Sequence, residues 1–517
     1  MNEVLPYLVT IPTEDSSKRP LGSRIVRGAA SAFMFNILGS GFLYIGLLLI
    51  VRLLTVSEYA QFTVSISFVA IIALVADLGM NPLFTRLFAA AEEEVNANGE
   101  DRRGILIGNA LTLRIALSFI VAGLVLLIAP TLYPVSWVHG MTILLFALLL
   151  SSRIAIVRYV GDAVLRSRGK YYLSALFGFF DAVAFTILMV FGTYRQFNLD
   201  QVIWVYVLCN VPGFVMLVRS VARWVRSERI AMKVDFHTML GMLKSSIPLA
   251  LGTAFLTIHA QIDNILLYKL STPMEVSSFG ATMRLSAAMA PFSLVLAAVT
   301  APELTRLLRR EDHSRARQLT GISLRLLLVV GTAIALTVTG LSGMIVPLML
   351  GAKYISASPL LIWTGWMLIP IFIGTLLMDV SIAAGFAWFM TTNTAICMVA
   401  VIVGDLLLIP SYGAVGAMAS KLIAVTLGAG TMIWLSRNTG HLDSRRFASS
   451  SLRTAFAVCM ALGVFWILRA LSLGETLAAL IMLAIYFIVI HFTRVLPLRE
   501  VVALLKRIRS PAGNTSV

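Results

Sequence analysis

Long apolar stretches, each wide enough to cross a lipid bilayer, alternate along this chain with short polar segments rich in Lys and Arg. A helix needs about 20 predominantly apolar residues to span the hydrocarbon layer. Fourteen runs meet that length: 28–51, 59–82, 104–130, 136–157, 171–193, 200–218, 246–268, 276–300, 320–342, 357–378, 385–409, 413–436, 454–471 and 474–493. The pattern predicts an all-α membrane protein with fourteen transmembrane helices. Gly, Pro, Ser and Thr inside the runs are compatible with this, because neighbouring helices satisfy the backbone groups they free.

Two runs echo each other. Glu58 opens EYAQF, and after a long apolar stretch the segment ends NPLFTRL; Glu275 opens EVSSF, and its segment ends APELTRL. Each glutamate has a phenylalanine four residues on, Phe62 and Phe279, and the Pro-x-x-Thr-Arg-Leu endings start at Pro82 and Pro302. The copies lie on runs 2 and 8, an even number of spans apart, so they share one orientation. They predict two parallel six-helix lobes related by an axis along the membrane normal. The expected organisation is a tail (1–27), an N-lobe (28–218), a basic linker (219–245), a C-lobe (246–436), two additional spans (437–493) and a C-terminal tail (494–517).

Charge fixes the orientation. With the N-terminus placed in the cytoplasm, 33 of the 41 basic residues fall in inner segments. The outer loops hold five: Arg52, Arg195, Lys269, Lys353 and Arg469. This asymmetry predicts cytoplasmic termini. It also accounts for the net charge of +16, since the basic residues recur between spans rather than forming a nucleic-acid-binding domain. Only 13% of residues are charged and 59% are hydrophobic, against about 25% charged in soluble proteins, so lipid is the solvent for most of the chain. The three cysteines lie in apolar runs and suggest neither a disulfide framework nor a metal site. Residues 1–26 contain no apolar signal-peptide core. The Asn514-Thr515-Ser516 sequon carries no weight on an inner tail.

Ionisable residues inside spans are costly and are functional candidates by default. They are Asp77, Arg114, Asp181, His259, Asp263, Arg284, Asp405 and Lys421. Depth, counted at about 1.5 Å per residue, places Arg114 with Asp181, Asp263 with Arg284, and Asp405 with Lys421. Asp77 lies near the depth of Arg153. Each pairing has two readings: a structural ion pair, or part of a polar cavity. His259 and Asp263 share one helix face, with Gln261 and Asn264 nearby. They could hold a proton or cation for coupling, or simply pack through hydrogen bonds. Asp77 is expected to orient a turn, Arg52 to snorkel, Pro248 to sit in a first helical turn with a gating kink as the alternative, and Gly39-Ser40-Gly41 to allow close packing rather than bending for gating.

Residues 51–88 (LLTVSEYAQF, VADLGM, TRLFA) and 244–309 (LKSSIPLALGTAF, QIDNILL, SSFGATMRLS, APELTRLLRR) resemble the two half-openings of the polysaccharide-transporter (Wzx-like) flippases. That family shares a superfamily with lipid II flippases and multidrug extruders. EVSSF departs from the usual family pattern of a Gly and a Tyr near this point. The resemblance implies a bacterial inner-membrane, multi-pass protein that moves undecaprenyl-diphosphate-linked oligosaccharide between leaflets for exopolysaccharide or O-antigen assembly. Polymerase and export components would act beside it, and no cofactor or metal is implied. It also implies that spans 1, 2, 7 and 8 line a central cavity, which favours Arg284 as a diphosphate ligand because a guanidinium fork matches phosphate oxygens. Its other role would be to neutralise Asp263. Arg114 and Lys421 are further cavity candidates, while Asp77, Asp181, Asp405, His259 and Asp263 are coupling or ion-pair candidates. Three rivals stand beside this reading: a drug or cation antiporter of the same fold, a lipid II flippase, and a membrane-embedded polymerase. The polymerase is opposed by short outer loops, and no Walker-type sequence indicates a fused ATPase.

Overall fold

A computed structural model of the chain describes residues 21–98, 101–151, 156–287, 289, 300, 303–308, 310–386, 388–440 and 442–496. Among these residues every regular element is helical. In the first half the principal helices are α1 (Leu21–Leu53), α2 (Val56–Ile72), α3 (Met80–Asn98), α4 (Arg103–Leu132), α5 (Val135–Leu145), α6 (Arg158–Ser167), α7 (Tyr171–Arg195), α8 (Leu199–Leu208) and α9 (Val211–Ser227). The second half has α10 (Phe236–Leu270), α11 (Pro273–Ala287), α12 (His313–Met349), α13 (Ser358–Ala383), α14 (Trp388–Asn438), α15 (Ser444–Ala470) and α16 (Glu475–Phe492).

Several starts follow from local chemistry. Thr55 and Glu58 form a capping box at α2, and Asn198 and Gln201 form one at α8. Asp235, Asp312 and Asp443 accept from the backbone N–H three residues on, opening α10, α12 and α15.

Ten described helices are long and apolar enough to cross a membrane, or eleven with one bent pair counted. Four features separate this number from the fourteen predicted runs. α10 is bent by 54° between Ile247 and Leu249, so Pro248 sits at a kink in a helix interior, the alternative to a first-turn position. Run 4 is split into α5 and the short helix Ala147–Leu150. Run 8 is described only to Ala287 in one helix. Runs 11 and 12 form the single 51-residue α14, folded at Gly413.

That fold is a true reversal. Gly413 adopts φ 55°, ψ −132°, a conformation open to glycine but strained for a residue with a Cβ. Beyond it, Gly416 faces the Leu408 carbonyl, Gly404 faces Ser420, and Gly428 faces the Cys397 sulfur. These pairings run in opposite directions along the two arms, so α14 is an antiparallel hairpin. Glycine permits the close approach: a Cβ at Gly416 would meet the Leu408 oxygen at 2.4 Å.

The two echo glutamates have diverged. Glu58 closes its own helix, whereas Glu275 accepts a hydrogen bond from Ala414 N at 2.7 Å and caps the second arm of α14.

α1 lies along α7, and α10 lies along α14. These are corresponding helices when the second half is shifted by six predicted runs. The halves join unevenly. α2 packs broadly against α10 and α11, while α1 barely meets α11. One buried apolar cluster runs through the joined side, from Val51 and Phe84 to Leu267, Phe279 and Met418. α15 and α16 attach outside α12 through a separate cluster that includes Leu336, Ala457 and Met482. Large apolar side chains such as Phe119, Leu127 and Leu407 are exposed, as suits helices solvated by lipid.

Candidate functional site

The intramembrane charges are paired, but only in part as depth alone suggested. Arg114, fully buried on α4, pairs with Asp77 at 3.7 Å. It also donates to Asn81 Oδ1 at 2.6 Å and to the Ile156 carbonyl. Asp77 ends the short helix Leu74–Asp77, just before the left-handed Leu78 and Gly79. This break in run 2 lets the α10 backbone approach: a Cβ on Gly79 would come within 2.4 Å of Ala250 N. Arg114 therefore staples a helix break.

Asp181, assigned to Arg114 by depth, instead accepts from Arg158 Nη1 at 2.5 Å and from Gly213 N at 2.8 Å. Arg153, compared with Asp77 in depth, lies outside the described residues, as does Pro302.

The second correction concerns Asp263. It pairs with Lys421 on the second arm of α14, not with Arg284. Lys421 Nζ also donates to the His259 carbonyl at 3.0 Å. Asp405, predicted to partner Lys421, lies within electrostatic range of both Lys421 and Asp263. Two carboxylates and one ammonium thus share a buried cluster between α10 and the α14 hairpin, with His259 one turn from Asp263.

Arg284 on α11 is half-buried and, among the described residues, is in no ion pair. It lies within electrostatic range of the phenols of Tyr44 on α1 and Tyr59 on α2. It therefore stands between the halves, where α1 and α11 meet only sparsely. A guanidinium held there without a carboxylate can receive phosphate oxygens as a planar fork.

One end of the bundle is closed by cations. Arg52 donates to the Met349 carbonyl at 3.2 Å and to the Leu348 carbonyl. Lys353 donates to the Arg52 carbonyl at 3.2 Å and to that of Leu54. Lys269 donates to the Leu132 carbonyl and lies 5.0 Å from the Tyr133 ring centroid. Each bond crosses from one half to the other, so Arg52 clasps rather than snorkels.

The opposite end carries an ion network. Arg103 bonds Asp101 (2.9 Å) and Glu228 (2.6 Å), Arg168 bonds Glu228 (2.8 Å), and the Arg168 guanidinium sits 4.5 Å from the Trp224 ring. The Arg103 hydrogen bond holds the Asp101 carboxyl below its ordinary range. Burial pushes the Glu228 carboxyl up, but hydrogen bonds from Trp224 and Arg103 and the charge of Arg168 hold it low overall. The connector between the halves is fixed here too. The carbonyls of Ala231 and Lys233 rest on Gly104 and Gly108 of α4, and Asp235 N donates to Asn109 at 2.9 Å.

A cavity of about 520 Å³ lies between α1, α6 and α7. The sequence reading missed it, because Arg158 counted there as an inner-loop cation. The available signal was Arg158 and Asp162 at i,i+4 on an amphipathic helix.

Residues 49–359 match the model of a family described as polysaccharide biosynthesis protein. The chain belongs to that family. The match spans both regions whose residues carried the resemblance. Solved structures share the family member's fold. The lipid II flippase MurJ in an inward closed conformation superposes with a TM-score of 0.65 at 16% identity, over 92% of this chain and 100% of that one. An inward-facing multidrug resistance MATE family transporter of the MOP superfamily gives 0.60 at 15%, over 80% and 98%. A point mutant of the Vibrio cholerae MATE transporter VcmN gives 0.55 at 19%, over 81% and 96%. At these identities the likeness concerns the fold. No curated protein matches the sequence.

Proposed function

We propose that this family member is a flippase that carries undecaprenyl-diphosphate-linked oligosaccharide from the cytoplasmic to the periplasmic leaflet of the bacterial inner membrane. The product would feed exopolysaccharide or O-antigen assembly. The observation that carries the reading is Arg284, a cation without a carboxylate partner among the described residues, between the halves where α1 and α11 meet sparsely. The family match supports polysaccharide chemistry, and in this reading the sparse α1–α11 seam is where the polyprenyl tail stays in lipid.

In this reading fourteen spans form two lobes, both termini are cytoplasmic, and the clasp of Arg52, Lys269 and Lys353 is the periplasmic gate. The head group enters from the linker side, the diphosphate engages Arg284, and the clasp opens as the lobes rock. The Asp263–Asp405–Lys421 cluster, with its excess carboxylate, takes up a proton or cation that couples the cycle. A charge crossing the membrane field supplies about 2.3 kcal/mol per 100 mV, enough to bias a lobe equilibrium. Against the antiporter rival, the aspartates of the first-half cavity each face an arginine and offer no free carboxylate centre for a drug cation.

The test is complementation of a deletion strain. Arg284→Ala, inserted at wild-type levels, should cut polymer export at least tenfold and leave lipid-linked repeat units on the inner leaflet. Export at the wild-type rate removes Arg284 from the path.

A further inference from the structure

We infer that the cavity between α1, α6 and α7 is a sugar subsite of the translocation path, holding one or two rings of a neutral oligosaccharide while the diphosphate rests at Arg284. The inference depends on the flippase reading and adds a second binding locus to it.

The cavity's charges cancel. Arg158 and Arg166 stand against Asp162 and Asp181, with Arg158 Nε 3.7 Å from Asp162 Oδ2 and Arg158 Nη1 2.5 Å from Asp181. A site so compensated has no net charge to hold a phosphate or a metal ion. What it offers is hydrogen bonding in both senses. Arg158 is 1% exposed, yet its Nε has no hydrogen-bond partner. Asp162 accepts from Ser174 at 2.7 Å, and its other oxygen faces Arg158. A buried donor left without a partner carries its desolvation cost, which a hydroxyl that reaches it relieves. Hydroxyl groups both donate and accept, and vicinal pairs of them match an arginine beside a carboxylate. The ring pair Phe35–Phe179, with centroids 5.7 Å apart, adds an apolar wall suited to the C–H face of a pyranose. The volume is within the range of small-molecule sites.

Position makes the case specific. Asn36 and Ser40 line the cavity from α1, and Tyr44 follows at the same four-residue interval. Residues at i, i+4 and i+8 share one helix face. The polar track thus runs about 12 Å, from Asn36 to the Tyr44 phenol, which lies within electrostatic range of Arg284. Ser40 is about 6 Å along the axis from Tyr44, the reach of a sugar joined directly to a diphosphate. Anionic and neutral parts of one head group therefore meet an uncompensated cation and a compensated cavity in the order in which they are bonded.

The test uses the purified full chain in nanodiscs and two probes: undecaprenyl diphosphate, and the lipid-linked repeat unit extracted from cells that carry this protein. Asn36→Leu and Ser40→Val are suitable variants. Neither side chain makes a hydrogen bond among the described residues, so their thermal unfolding should match the wild type. The wild type should bind the sugar-bearing lipid about tenfold or more tighter than the bare one, and each variant should reduce that ratio to about twofold. Arg284→Ala should weaken both lipids alike. A wild type that binds both equally, or variants that keep the full ratio, overturns the sugar subsite and leaves the diphosphate reading intact. A wild type that binds neither lipid overturns the functional reading itself, and this inference with it.

Discussion

Removing the three clasp cations together, Arg52→Ala, Lys269→Ala and Lys353→Ala, should unlatch that end of the bundle. Each side chain is exposed, so its bonding to carbonyls is discounted to about 0.7 kcal/mol per side chain. Three side chains give about 2 kcal/mol, a shift of about 30-fold in the ratio of closed to open clasp. Lys269 contributes further through the Tyr133 ring of the other half, at 5.0 Å. Spin labels at Val135 and Ile355, exposed by 83% and 61% on the two halves at this end, would report the separation by double electron–electron resonance. The exposed Cys459 is first replaced by Ser, while Cys209 and Cys397 are buried. The unmutated clasp should give one short-distance population, and the triple variant should add a longer one. An unchanged distribution would show that apolar packing between α2 and α10, not the clasp, holds this end shut.

Two other outcomes follow from the buried and interfacial charges. Lys421→Met leaves Asp263 buried without its partner and should lower stability by about 3–5 kcal/mol, seen as a fall in thermal unfolding temperature, whereas Lys421→Met with Asp263→Leu should recover most of it; a double variant no better than the single refutes the pairing. At the linker end, Asp101 and Glu228 are held below their ordinary range, so the stability they confer is complete above the unfolded carboxylate range and is lost as pH falls through their lowered values; hydrogen-exchange protection of residues 229–235 should decline in that window and not in Glu228→Gln, which should start low.

Most of the long apolar helices were legible because apolar length is a one-dimensional signal. The pairings were not. Counting residues gives depth but not azimuth, so Arg114 and Asp181 looked like partners although their helices face other charges, Asp77 and Arg158. Arg158 was hidden for a related reason. It follows a polar break and reads as a loop cation, while α6 tucks it back to meet Asp181. Arg284 was singled out through the family resemblance, and the tyrosines within its electrostatic range carry no charge by which to find them. The reversal at Gly413 was legible as two runs, but its cap, Glu275, belongs to a segment more than a hundred residues earlier.

The connector lashed onto Gly104 and Gly108 changes what kind of machine this can be. A free tether between Ser227 and Phe236 would let the halves drift apart as well as tilt. With its carbonyls seated on α4 and Asp235 pinned to Asn109, little slack remains at that end. In the proposed cycle the second half is then mounted on the first like a lever on a short pivot. A small rotation there would become a larger displacement at the far end, where three long side chains hold the latch.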